Sequence, residues 1–386
     1  MADWLKQGCL ANKASRMVSD RGRKMSLMSV DSPAGWQVAD LDSDRSWMFS
    51  IDDAARAHLA QVVKAVYVPD RPLLDYVRDD FDLGAAWATI ASALGEAQHG
   101  RGIALVRGLP RDGLSEQEFE LMNWAIGLHA GVARPQGRAT QYISAVRDVG
   151  TDYRAATGRG YSSNAKLDFH VDGADLVTLT CYNKARSGGQ SMISSAVSAR
   201  AQLIAERPDL AELAHGDFFF SRQREEAPDE APYYAQPLFE IADGRLFGKW
   251  NRNRVQSAQQ IEGVPALTPA QRETMDVLDA ILRRPQLMFT MYLQPGDLQI
   301  LNNHVMLHSR TDYIDFDAPQ QKRLLSRLWL APPDSVRLPA SWGDFYRSVE
   351  PGTVRGGIRG HQHDEVCRAF ERRQAATLGM STASSV

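Results

Sequence analysis

Of the nine histidines in the chain, few sit where a side chain could do chemistry. In Leu167-Asp168-Phe169-His170-Val171-Asp172-Gly173 an imidazole and a carboxylate stand two positions apart, so in extended backbone both project to one face. Two histidines and one carboxylate on one face of an iron leave its other positions open for oxygen chemistry, so this pair lacks only a third ligand. His304 and His308 compete for that place in GDLQILNNHVMLHSRTDY, residues 296–313. His308 is favoured because Arg323 and Arg327 follow it in the alternating run RLLSRLWLA, 323–331. In a strand, positions 323, 325, 327 and 329 share a face, which sets two guanidiniums beside Leu325 and Trp329. The planar fork of arginine grips a carboxylate through two parallel bonds, so this face predicts two anionic groups bound near the metal.

The elements that must position these residues are mostly strands. Apolar, β-rich runs recur at 176–182, 189–196, 216–222, 238–250, 287–293, 297–301 and 323–331, separated by Gly, Pro and Asp. Asp243-Gly244 is a two-residue hairpin signal, and Pro295-Gly296 joins the 287–293 and 297–301 runs as a turn. Helical spacing marks 54–68, 83–98 and 117–128 ahead of the strands, with the buried-strand pattern GRGIALVRGL between them. Two further helices, 195–206 and 268–282, interrupt the strands. The expected fold is mainly β with added helices (α+β): a double-stranded β-helix, or jelly roll, with N-terminal and inserted helices. The expected organisation is a flexible arm over 1–34, a single jelly-roll domain over 35–374 with a helical N-terminal portion, and a flexible tail over 375–386.

The ordered set His170-x-Asp172, Gly188-Gly189-Gln190-Ser191, Asn302-Asn303-His304 ahead of His308-Ser309-Arg310, and Arg323-Leu-Leu-Ser-Arg327 resembles the TauD/TfdA-like branch of Fe(II)- and 2-oxoglutarate-dependent dioxygenases. The resemblance covers about 100–332. It implies iron held by His170, Asp172 and His308, the distal carboxylate of 2-oxoglutarate on Arg323 with help from Ser191, and an acidic group of the substrate on Arg327. It also implies consumption of O2, decarboxylation of the keto acid to succinate, and hydroxylation or desaturation of the substrate. Halogenation is excluded, since halogenating relatives replace the carboxylate that Asp172 supplies here. Asn302-Asn303-His304 departs from a commoner Asp-Asn-Arg, and no Cys-rich zinc module precedes the core.

Loops ahead of a metal-bearing strand often line its mouth, which makes Tyr161, Asn164 and Asp168 candidates for facing the substrate. Plainer readings suit other segments: the Lys249–Arg254 run as the solvated exit of a hairpin, Phe218-Phe219-Phe220 as core strand, and HQHDE (361–365) as a charged helix start. With 44 basic against 47 acidic residues the chain carries no electrostatic footprint for nucleic acid, and no apolar run reaches the length of a membrane span. A small-molecule substrate is therefore expected, homo-oligomerisation being left open. Three distant cysteines, Cys9, Cys181 and Cys367, offer no disulfide framework and point to the cytoplasm. The basic residues near the N-terminus read as a loose arm rather than a transit peptide. The leading expectation is an oxygenase acting on a small carboxylate-bearing molecule. Its rivals are the same chemistry on a peptide or protein side chain, a non-catalytic jelly-roll binding protein, and a zinc hydrolase on the same ligands.

Overall fold

Leu324–Ala331 is the spine of the larger of two facing sheets. The structure, a computed structural model, describes residues 28–151 and 160–382, the side chain of Tyr161 excepted. The order across this sheet is Met48–Ser50, Ile103–Arg107, Leu298–Asn302, Leu176–Asn183, Leu324–Ala331 and Val132–Arg134, with Ile143–Val146 also paired to the spine. All pairings are antiparallel except the first, which is parallel. Opposite lies a smaller sheet, Met288–Met291, Ser191–Ser195 and Met306–Arg310. The two together are the expected jelly roll.

Alternation along the spine divides the core. Leu324, Leu328 and Leu330 join the apolar layer beneath the N-terminal helices Asp53–Val66, Gly84–His99 and Glu116–Ala130, whereas Leu325 and Trp329 turn inward to the space between the sheets. Contact with the helical layer is close: a Cβ on Gly127 would stand 2.3 Å from Leu328 Cδ2. Burying a leucine of this kind contributes roughly 1.5–3 kcal/mol. The helices begin where side chains cap them: Asp52 and Ser115 each accept a backbone N–H from three residues on, as do Ser195 and Thr268 at Ala196–Glu206 and Pro269–Leu282.

The Asp243-Gly244 hairpin forms with both residues at positive φ, as a two-residue turn of primed type requires. Pro295-Gly296 differs from the hairpin expectation. Met288–Met291 pairs in the small sheet and Leu298–Asn302 in the large one, so this turn carries the chain from one sheet to the other. Gly296 is required there, because a Cβ would meet Leu109 O at 2.5 Å on a backbone of φ +84.

The described residues reach into both expected terminal segments. Residues 1–27 of the arm lie outside the described residues, but Ala34 is buried, with its carbonyl accepting from Ser195 Oγ, and the Met28 carbonyl accepts from Arg200. Past 374, helix Glu365–Thr377 buries Ala375, and Ser381–Thr382 pairs with Thr353–Val354, with Met380 in one apolar cluster with Val132 and Val354. No helix among the described residues is long and apolar enough to cross a membrane.

Candidate metal centre and its cavity

The segment around His170 runs along the free edge of the small sheet. His170 bridges His308 on one side, through reciprocal backbone bonds of 3.0 and 2.9 Å, and Asn251 on the other. The alternation expected of an extended segment holds, so His170 and Asp172 point the same way and meet His308 from Met306–Arg310. One ligand atom from each of the three residues lies within 4.8 Å of the others, and the two imidazole centroids are 4.4 Å apart. His308 and Asp172 are buried, His308 Nε2 standing 3.7 Å from Asp172 Oδ2.

Protonation in this cluster suits a divalent cation. Burial pushes the His308 imidazole down to about 3, helped by His170, and burial likewise lowers that of His170. Both rings are thus neutral donors. His170 Nδ1 is engaged by the Asp168 carbonyl at 2.9 Å, which leaves Nε2 for a ligand. Burial alone would raise Asp172, but Arg327, His308 and His170, with the Trp329 N–H, more than offset it and hold the carboxyl at about 2. Two neutral imidazoles and an obligate anion are the donor set of the facial triad, so these residues fit Fe(II).

A cavity, about 1150 Å³ when the solvent at its mouth is included, opens beside them and is also lined by Ser191, Lys249, Arg323, Arg327, Trp329 and Phe345. Arg323, 5 % exposed, lies with its guanidinium 5.0 Å from the Tyr313 ring centroid and touches the Val146 carbonyl at 3.4 Å. No carboxylate among the described residues forms an ion pair with it. Gly189, at φ +72, makes room: a Cβ there would sit 3.2 Å from Arg323 Nε. Ser191 exchanges hydrogen bonds with Gln299 at the same wall.

Several sequence expectations change here. Arg327 lines the cavity, but its Nη1 lies 3.3 Å from Asp172 Oδ1 and its Nε donates to Gln136. It is therefore already engaged with a metal-ligand candidate. Trp329 Nε1 donates to Asp172 Oδ2 at 2.9 Å, so the spine strand holds this carboxylate through two side chains. His304 lies elsewhere: its Nε2 meets Asp175 Oδ1 at 2.9 Å, in a buried group with Arg355, Trp342 and Tyr346. Asn164 is exposed and absent from the cavity wall, contributing its backbone carbonyl to Tyr313 N–H. Asp168 turns its carboxylate to Arg283. The side chain of Tyr161 lies outside the described residues. The Lys249–Arg254 run is not a solvated exit: Lys249, Trp250 and Arg254 are buried, and Lys249, Asn251, Asn253 and Arg254 line the cavity. The signal that could have found them is the hairpin Phe239–Ala242/Arg245–Gly248, whose exit must continue beside the His170 segment, as the Val171 N–H to Trp250 carbonyl bond shows.

Two imidazoles and a carboxylate at the edge of a jelly roll define a non-haem iron oxygenase. Residues 69–329 match the model of the taurine catabolism dioxygenase TauD, TfdA family, and the chain belongs to that family. It is an Fe(II)- and 2-oxoglutarate-dependent dioxygenase, an oxidoreductase. FR-33289 synthase of Streptomyces rubellomurinus is 29% identical over 317 residues, spanning 80% of this chain and 93% of that protein. Uridine-5'-phosphate dioxygenase of an Amycolatopsis species is 27% identical over 176 residues, 44% of this chain and 62% of its own. Among solved structures, asparagine oxygenase with Fe(II), 3-hydroxyasparagine and succinate superposes with a TM-score of 0.56 at 18% identity, covering 76% of this chain and 98% of that one. The non-haem iron oxygenase OrfP with iron and α-ketoglutaric acid gives 0.53 at 15% identity, over 74% and 93%.

Proposed function

We propose that His170, Asp172 and His308 hold the iron, that Arg323 and Ser191 receive the distal carboxylate of 2-oxoglutarate, and that a small carboxylate-bearing molecule is hydroxylated or desaturated in the cavity beside them. The observation that carries this reading is the convergence of three ligand groups within 4.8 Å on the wall of a cavity that also holds an arginine buried without a carboxylate partner among the described residues. Bound iron supplies the activation of O2 coupled to decarboxylation of the keto acid to succinate and CO2. The protein supplies the rest. Arg323 fixes the keto acid through a charge-assisted fork, and Arg327 and Trp329 keep Asp172 anionic and aimed. The apolar wall of Leu179, Leu293 and Leu325 keeps water from the reacting carbon. The asparagine oxygenase structure, in complex with Fe(II), 3-hydroxyasparagine and succinate, supports hydroxylation of a small substrate. We assign the protein to the cytoplasm: Cys181 and Cys367 are free and buried, as a reducing compartment allows.

The test is an anaerobic titration with Fe(II) and 2-oxoglutarate, followed by a succinate-release screen across candidate acids. The wild-type protein should develop a weak visible charge-transfer band, and His170→Ala and Asp172→Ala should lose it. Equal behaviour of variants and wild type would remove the metal centre. Turnover without keto acid or oxygen would favour a zinc hydrolase on the same ligands.

A further inference from the structure

Among the described residues, the cavity wall carries Lys249, Arg254, Arg310, Arg323 and Arg327 but, apart from Asp172, no carboxylate. Most of these cations are already engaged. Arg327 meets Asp172, Arg254 meets Glu225 and the Ser221 carbonyl, and Arg310 donates to the carbonyls of Ser163 and Ala165. Arg323 belongs, on the reading above, to the keto acid. Lys249 is different. It is 3 % exposed, yet its Nζ makes no hydrogen bond or ion pair with any described residue, and its neighbours are ring faces: Phe345 at 4.4 Å and Tyr234 at 5.8 Å. Its ammonium, largely cut off from bulk water, faces the cavity with ring faces beside it and no described carboxylate bonded to it. Burial pushes it down to about 7; Arg254 and Arg222 push the same way, and Asp172 opposes them. An arriving anion would restore the full charge.

The backbone holds Lys249 firmly in place. Its N–H donates to the Leu238 carbonyl, Gly248 N–H to that of His304, and two residues on Asn251 bridges His170. The Lys249–Asn251 backbone therefore runs beside the His170 segment, across it from the His308 strand. Asn251 and Asn253 line the same stretch of wall; the Asn251 side-chain oxygen caps Arg254 N–H, which leaves its amide N–H groups as donors.

We propose that Lys249, assisted by Asn251 and Asn253, receives an oxyanion of the primary substrate, a carboxylate, sulfonate or phosphate, and so orients the carbon to be oxidised against the metal. This rests on the oxygenase reading of the same cavity and moves the second expected anion from Arg327 to Lys249. Phe345 and Tyr234 then flank the substrate next to the bound oxyanion.

Calorimetry tests it on the full chain loaded anaerobically with Fe(II) and 2-oxoglutarate, so that Arg323 is already occupied. Propionate, ethanesulfonate and ethyl phosphate are the probes, with propylamine as the cationic control. At least one oxyanion should bind saturably and propylamine should not; which of the three binds identifies the head group. Lys249→Met should weaken that probe tenfold or more and Lys249→Arg by less than about threefold, while 2-oxoglutarate affinity stays within about twofold in both. The proposal is overturned by wild-type affinity in Lys249→Met, by failure of all three oxyanions to bind the wild type, or by an equal loss of keto-acid affinity. Failure of the oxygenase reading looks different: the wild type shows no iron–keto-acid band before any probe is added, and calorimetry still reads the probes.

Discussion

Trp329→Phe isolates how much of the metal centre is built by the spine strand. The indole is 3 % exposed and packs between the sheets, and phenylalanine keeps most of that apolar contact, so the change removes chiefly one N–H. That N–H lies 2.9 Å from Asp172 Oδ2, whereas the Arg327 contacts to the same carboxylate, at 3.3 and 3.4 Å, exceed the ~2.7–2.9 Å of a strong charge-assisted bond. A hydrogen bond to a charged group contributes ~1.5–3 kcal/mol. At ~1.4 kcal/mol per tenfold, its loss should weaken metal binding ~10- to 150-fold. Losing a group that orients a metal ligand typically costs ~10- to 100-fold in affinity, which agrees. The assay is anaerobic titration with Fe(II), repeated with Co(II), at saturating 2-oxoglutarate, with thermal melting of the metal-free protein as the fold control. A metal affinity within about twofold of wild type, with the melt unchanged, would refute the view that Trp329 holds the carboxylate for the metal.

Two further perturbations address the keto-acid anchor and a remote buried acid. Arg323→Lys keeps the charge but loses the fork, so the KM for 2-oxoglutarate should rise ~10-fold or more for the loss of one charged hydrogen bond; an unchanged KM would move the anchor elsewhere. Glu371 is gripped by Arg134 at 2.8 Å and also takes bonds from His363 and the Tyr142 hydroxyl; these offset its burial and hold it at about 2. Because the folded value lies below the unfolded one of ~4.3, its stabilisation is present above pH ~4.3 and lost as pH falls towards 2, on the order of 3 kcal/mol in all. Glu371→Gln should therefore melt well below wild type at pH 7 and approach it near pH 2.5, and a constant gap would contradict this.

How far the site was legible follows from where each residue sits in a repeating pattern. His170, Asp172, Arg323, Arg327 and Trp329 occupy alternating positions of extended segments, and a period of two places side chains on a face without knowledge of the rest of the fold. His308 was separable from His304 only through the arginines downstream. Lys249 escaped because a run of Lys, Asn and Arg reads as solvated by composition, and only the chain's return beside His170 buries it. The arginine–aspartate contact was equally hidden: periodicity names a face but not which two groups on it touch. Met48–Ser50, Val132–Arg134 and Ile143–Val146 span three or four residues each, too short for alternation to register. Pro295-Gly296 shows the reverse failure, a correct turn whose partners belong to different sheets.

The cavity has two walls of different origin. One is built from paired strands that carry His308, Arg327 and Trp329, with Arg323 just ahead of Leu324–Ala331; the other, with Lys249, Asn251, Asn253 and Phe345, comes from segments outside those sheets. On the proposal for Lys249, chemistry and selectivity then rest on separate segments of the chain. Exchanging the 239–258 hairpin and helix between relatives should retarget the enzyme to new molecules while the oxidising half is carried over intact, which makes that stretch the natural unit for grafting and for divergence.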